Sequence, residues 1–291
     1  MAPVYPCAIA IRYRSGVPEL PEVETVARLI RPGLVDRRIE AVKVTWPRTL
    51  GGVSVPRFRK RVVGARFERV WRRGKYIVMD FAGDGGCIVG HLRMTGRMQV
   101  DAPGDEVNRF TKVSLTLDDG NVFRFIDVRK FGRFVWAPSP DDVLPALGPE
   151  PLDEQFTADW FRQALSRRRR ALKPLLLDQS FVAGLGNIYV DEALHAAHLH
   201  PLRTSDTLNR AAAIRLHEAI LTILTEAIER EGSSFDTFYR TPEGQPGAYQ
   251  EQFGVYGRTG KPCPNCARAI KRIVVGQRGT HLCTNCQRRP R

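Results

Sequence analysis

No stretch of the 291 residues approaches the roughly 20 consecutive apolar side chains that a membrane-spanning helix needs. The apolar run Cys7–Ile11 is too short for the core of a signal peptide. The chain therefore reads as soluble and cytoplasmic. Cysteine is scarce and uneven: of six, four stand in two Cys-x-x-Cys pairs near the C-terminus, and Cys7 and Cys87 stand alone. That is not the spread of a secreted disulfide scaffold. Internal repeats are absent. Acidic residues are missing from Arg258 to Arg291, a segment holding nine Lys and Arg.

What is abundant is positive charge. Lys+Arg 45 against Asp+Glu 31 gives +14, with a pI near 10.0, and +9 of that lies beyond residue 257. A soluble protein this basic usually meets a polyanion. A tail so one-sided points to a phosphate-binding module. The hydrophobic fraction, 43%, is ordinary and allows a real core.

The pattern changes along the chain. From Pro21 a helix is expected, with Val23, Val26 and Ile30 on one face and a stop near Gly33. Residues 39–136 read as strands: Val42, Val44 and Trp46 alternate with polar neighbours, as do Ile77, Met79 and Phe81. Val113, Leu115 and Leu117 lead into the turn Asp119-Gly120, with Phe123 and Phe125 on the return strand. Short strands with little helix between them suggest a β-sandwich. Residues 138–153 have a linker's composition, and 240–250 that of a flexible loop. Leu208, Ala212, Leu216, Ile220, Ile223 and Ala227 form one face of a long helix ending by Gly232.

Cys263-x-x-Cys266 and Cys283-x-x-Cys286 are separated by sixteen residues. Each pair sets two thiolates on a tight knuckle, and a hairpin of Ile273–Val275 with His281–Leu282 would bring the knuckles together. Four thiolates then close a tetrahedral zinc site with no position left for water, which makes it structural. Redox dithiols or disulfides would be the competing use of such pairs, but no thioredoxin-like context surrounds them. Residues 277–280 would form the hairpin tip, a natural place for a phosphate contact. His195, His198 and His200 cluster after a helical stretch and read as surface residues, with metal binding the second possibility.

The segment Pro18-Glu19-Leu20-Pro21-Glu22-Val23-Glu24-Thr25 resembles the N-terminal signature of the formamidopyrimidine-DNA glycosylase family. Further similar segments are Arg73–Tyr76, His91–Gly96, Asp127–Gly132, Leu147–Leu152, Gly184–Tyr189, Val255–Arg258 and the four cysteines, so the resemblance runs from Pro18 to about Gln287. It implies a multidomain α+β chain: an N-terminal β-sandwich catalytic domain over 18–142, a helix–two-turns–helix domain over 150–256, and a zinc ribbon over 257–291. It implies one structural Zn²⁺, double-stranded DNA with oxidised bases as partner, and a monomer. The implied activity is excision of oxidised purines followed by cleavage of the abasic site. Enzymes that work on a base take it out of the stack.

The resemblance also assigns roles. Pro18 is the nucleophile, Glu19 the acid at the sugar ring oxygen, and Lys75 a lysine of the lesion site. Met94, Arg129 and Phe131 enter the hole left by the flipped base. Asn187, Lys173 and Arg278 contact phosphates. Glu22 matches an acidic site residue, although a first-turn helix charge explains it nearly as well. A proline amine suits the nucleophile's task, because a pKa of about 8, nearer an α-amino group than a lysine, leaves a useful neutral fraction at pH 7. Val128 and Lys130 stand where the family often has proline and arginine. The larger departure is the extension of residues 1–17, since a proline within a chain has no amine lone pair to offer. Residues 1–17 are therefore expected to be absent from the active protein. Retained, they would make the chain a non-catalytic DNA-binding homologue. Two more readings compete: an endonuclease VIII-type enzyme for oxidised pyrimidines, and a zinc-ribbon transcription or ribosomal factor.

Overall fold

The computed structural model describes residues 17–234 and 239–289. All of the extension except Val17 lies outside the described residues. The first element is helix α1 (Leu20–Leu34), with Pro21 in its first turn, where no amide partner is needed. Leu20, Val23, Ala27, Ile30 and Leu34 recur every three or four residues and are buried. The helix runs through Pro32 and Gly33 instead of stopping there.

Next come β1 (Ile39–Val44), α2 (Val55–Val62), β2 (Phe67–Arg73), β3 (Tyr76–Phe81), β4 (Cys87–His91), β5 (Gly96–Asp101), β6 (Thr111–Leu117), β7 (Val122–Asp127) and β8 (Arg133–Ala137). They form two antiparallel four-stranded sheets, ordered β1-β6-β7-β5 and β2-β3-β4-β8. The β-sandwich expected from the alternating pattern is present. The reading of 39–136 as strands throughout needs one correction, because α2 and a 3₁₀ turn at Pro47–Leu50 interrupt it. In α2 only Phe58 and Val62, four residues apart, are buried, and the polar face is Arg57, Arg59, Lys60 and Arg61. A helix with two apolar residues leaves little periodic signal.

Between the sheets the aromatic rings interlock. Phe134 of β8 stacks on Phe123 and Phe125 of β7, with centroids 5.8 and 5.6 Å apart, and leans on Phe58 of α2 at 6.2 Å. Phe58, Phe123, Phe125 and Phe134 are each fully buried.

The second half is helical: α3 (Ala158–Ser166), α4 (Leu172–Leu176), α5 (Asn187–Ala196) and α6 (Arg210–Glu229). Asn209 caps α6 by accepting from the Ala212 amide at 2.8 Å, and Ala212, Leu216, Ile220, Ile223 and Ala227 form its buried face as anticipated. Residues 177–186 turn the chain between α4 and α5. Leu20 of α1 belongs to this second core while Val23 belongs to the sandwich core, so α1 joins the two.

The last element is the hairpin β9 (Lys271–Val275) and β10 (Arg278–Leu282). Its tip is Gly276-Gln277, with φ of 54° and 62°, the left-handed pair that a two-residue hairpin turn requires. Arg278 to Thr280 thus lie on the returning strand and not at the tip as expected. No helix among the described residues is long and apolar enough to cross a membrane.

Phe134→Ala removes the ring that both layers share. It should lower the unfolding free energy by about 3–5 kcal/mol, read from denaturant midpoints, while a substitution at exposed Val63 changes little.

Candidate active site and nucleic-acid interface

Glu19 precedes α1 and is buried, yet its charge is not left bare. Its two carboxylate oxygens accept from the amides of Ile188 at 3.0 Å and Tyr189 at 3.3 Å, the first turn of α5. Gly186 makes this approach possible, because a Cβ there would lie 2.1 Å from the Glu19 carboxyl carbon. Burial pushes the Glu19 pKa up to about 7; nearby Lys75 opposes the rise, Glu22 adds to it, and the two amides restrain it. Glu22 accepts from the Glu19 amide at 2.9 Å, the Ser233 amide at 2.8 Å and the Tyr189 hydroxyl. Its place is therefore a buried junction between α1, α5 and the residues after α6, rather than a helix-end charge in water.

Lys75 sits in the turn before β3, not on the strand. Gly74, at φ 56°, turns the chain there, and its amide donates to Glu150 at 2.5 Å. Arg72 and Arg73 donate to the same carboxylate at 2.5 and 2.9 Å, locking the turn to the segment entering the helical half. Burial and the Arg278 charge lower the Lys75 pKa, and Glu19 and Glu22 resist that shift. A cavity of about 510 Å³ brings together Glu19, Lys75, Met94, Asn187 and Arg278, and Val17 also lines it. Pro18 is buried between Val17 and Glu19.

Two further expected residues stand apart from the cavity on an exposed loop. Asp127, fully buried, accepts from the amides of Arg129 at 3.1 Å and Gly132 at 2.7 Å and from the Thr95 hydroxyl. One carboxylate thereby ties the 128–132 loop to the turn that carries Met94. On the far side of that turn the His91 Nδ1 accepts from the Arg93 amide at 3.0 Å, and burial, together with the Arg93 and Lys75 charges, drops the His91 pKa to about 3. Phe131 is 50% exposed. The Arg129 guanidinium lies 5.0 Å from the Phe131 ring centre, with one nitrogen 3.2 Å from the Met94 sulfur. Arg129 thus touches both of the other residues assigned to the base hole. Asp127, Thr95 and His91 lie within the matched segments, but nothing in their residue types announced a positioning role.

Lys173 is a correction. Its ammonium is 0% exposed and donates to Asp191 at 2.6 Å and to the Gly279 carbonyl at 3.1 Å. Both of these partners belong to the protein itself. It bolts α4 to α5 and to β10. Asn187, the first residue of α5, donates to the same Gly279 carbonyl at 3.0 Å, and Asp191 also accepts from the His281 amide at 2.8 Å. Arg278 is the residue before this bolted carbonyl. The histidines are a second correction: His195 and His200 are buried, and only His198 is exposed as expected.

The four cysteine sulfurs lie within 4.8 Å of one another, and no disulfide joins them. The separations Cys263–Cys286 of 3.9 Å and Cys266–Cys283 of 3.4 Å bracket the spacing of about 3.8 Å that a tetrahedron with Zn–S bonds of about 2.3 Å requires. The donor set fits one structural zinc ion; His281 takes no part in it. Gln287 closes the module, bonding the Cys283 amide and the Leu199 carbonyl at 2.9 Å each.

A β-sandwich, a helix–two-turns–helix half and a four-thiolate ribbon around one cationic cavity define a zinc-ribbon protein built to handle a polyanion at a reactive centre. Residues 17–134 match the formamidopyrimidine-DNA glycosylase N-terminal domain, 147–239 its H2TH domain, and 260–289 the zinc finger found in that family and in IleRS. The formamidopyrimidine-DNA glycosylase of Herpetosiphon aurantiacus is 44% identical over 276 residues, spanning 93% of this chain and all of that protein. That of Enterococcus faecalis is 40% identical over 275 residues, 93% and 97% of the two chains. The Lactococcus lactis protein bound to DNA containing an abasic site superposes with a TM-score of 0.85 at 36% identity, covering 93% of this chain and 100% of that one. A mutant of it bound to DNA containing Fapy-dG gives 0.85 at 37%, covering 94% and 100%. The chain belongs to the formamidopyrimidine-DNA glycosylase family.

Lys173→Met leaves Asp191 a buried charge without its partner, at a cost of about 3–5 kcal/mol of stability. The slope of log binding constant against log salt should stay at the wild-type value in this variant, whereas Arg278→Ala should flatten it by about one unit. A flattened slope in Lys173→Met would restore the phosphate assignment.

Proposed function

We propose that this protein excises oxidised purines, 8-oxoguanine and formamidopyrimidines, from double-stranded DNA and then cleaves the backbone at the resulting abasic site. The observation that carries this reading is Glu19, a carboxyl with a pKa near 7 that follows Pro18 in the chain and lines the cavity that also holds Lys75. In the reaction the Pro18 nitrogen attacks C1′ of the damaged nucleotide as the bond from C1′ to the ring oxygen opens. Glu19 gives its proton to that oxygen, the amine's own proton passes to the base, and the bond from C1′ to the base breaks as the nitrogen lone pair closes an iminium joining Pro18 to the sugar. The iminium acidifies the neighbouring sugar hydrogens, which permits β- and then δ-elimination of the two phosphates. Lys75 contacts the lesion nucleotide. Met94, Arg129 and Phe131 fill the vacated stack, with the arginine bonding the unpaired base opposite. Asn187 and Arg278 hold phosphates. Residues 18–142 carry the chemistry, and 150–256 and 257–291 grip the DNA. The protein acts as a monomer in the cytoplasm.

Such a nucleophile must be a free secondary amine, so the active form begins at Pro18. Val17 lines the same cavity. A chain that keeps residues 1–17 lacks the amine and places a side chain where substrate would go, which makes it a DNA binder without activity.

Protein produced from Pro18 should be trapped covalently on 8-oxoguanine duplexes by borohydride, and protein with an intact Met1 should not. Failure of the Pro18 form to cross-link sinks the proposal, and cross-linking by the intact form transfers the nucleophile's role to Lys75. The pH profile is a separate check. Excision needs Pro18 neutral, which improves as pH rises toward about 8, and Glu19 protonated, which is lost as pH rises through about 7. Single-turnover base release should therefore peak between these values and fall on both sides. In Glu19→Gln base release should collapse, while strand cleavage at a preformed abasic site should persist.

A further inference from the structure

Asn187, Asp191 and His195 are spaced four residues apart and so share one face of α5. The first two bond the backbone of β10, at Gly279 and His281. The third reaches a sulfur: His195 Nε2 is 3.4 Å from Cys263 Sγ, and the two residues are 5% and 2% exposed. Gly254 leaves room for the ring, because a Cβ there would come within 2.8 Å of His195 Nδ1. Glu192 beside it accepts from the amides of Gly254, Val255 and Tyr256 at 2.7, 3.0 and 2.7 Å, holding the chain that leads to Cys263.

We infer that His195 is an outer-sphere hydrogen-bond donor to the Cys263 thiolate, and that this bond fixes the zinc site to α5. The inference rests on the four cysteines being a zinc site. Chemistry sets the direction of the bond: a metal-bound sulfur is a thiolate without a proton, so the hydrogen sits on Nε2. A separation of 3.4 Å suits an N–H to sulfur contact, which is longer than one to oxygen. Four thiolates around a dication leave two negative charges on the cluster. An N–H donor draws off part of that charge and makes the sulfur less ready to take a solvent proton, the step that releases metal. The same bond adds Cys263 to the ribbon residues that α5 holds, beside Gly279 and His281.

His195→Phe keeps a flat ring of similar size and deletes the donor, whereas His195→Gln returns an N–H near the Nε2 position. Release of zinc to a chelator, followed with a metallochromic dye, should be about tenfold or more faster in His195→Phe. The thiolate-to-metal charge-transfer band of its cobalt(II) form should shift, and His195→Gln should recover most of both properties. Wild-type release and an unshifted band in His195→Phe overturn the inference, as does equal loss in both variants, which would mark a packing role. A measurement on unmutated protein guards against misfolding: imidazole ¹⁵N shifts should show the proton on Nε2, and a bare Nε2 overturns the bond. If wild-type protein holds no zinc, the zinc reading itself fails. If it holds zinc and His195→Phe is unaffected, only this inference does.

Discussion

The carboxylate of Glu19 lies against the first amides of α5, and the rest of the site depends on that contact. The residue comes from the chain entering the sandwich, and the amides belong to the helical half. The open N–H groups at a helix start are a ready partner for an anion, here supplied by the protein itself. Without them a buried carboxylate would be expelled or permanently protonated. With them and Lys75 the group rests near neutrality, able to hold a proton and to give it up. Gly186 is the steric condition, since any side chain at that position would occupy the carboxyl's own space.

α5 then extends this order to the ribbon. From one end to the other it meets Glu19, the Gly279 carbonyl, the Lys173–Asp191 pair and the Cys263 sulfur. The Lys173–Asp191 pair is fully buried, and such pairs add little net stability. Their value is geometric. A lysine with three donors and a carboxylate with two acceptor oxygens can each serve two elements at once, and here they fix the strand that presents Arg278.

Much of this was legible in the sequence. The sandwich showed in the alternation of Ile77, Met79 and Phe81, α6 in the spacing of Ala212, Leu216 and Ile220, and the zinc site in its paired cysteines. Each is a periodic or spaced pattern, which survives without coordinates. What failed was burial. Lys173 matched a phosphate ligand of the family pattern and His195 read as a surface residue, and neither a resemblance nor a residue type reveals a partner 18 or 68 positions away. α2 was hidden by having a single short apolar row among arginines. The roles of Asp127 and Glu150 were equally invisible, since each acts by accepting backbone amides, and a sequence does not say which amides lack partners.

The cluster of Met94, Arg129 and Phe131 has a kinetic meaning. A half-exposed phenylalanine on a loop tip is ordinarily hydrated or collapsed, but here a guanidinium covers one ring face and a thioether lies against the guanidinium. If the ring enters a base stack as proposed, it exchanges a cation for a base on the same π surface, with the loop already shaped by Asp127. An exchange between comparable partners has a small net free energy in either direction. Such an insertion would be readily reversed, and its balance would be left to the fit of the extruded base. A molecule that must sample a long polymer of intact pairs to find a rare altered one moves faster when its probe is never tightly held.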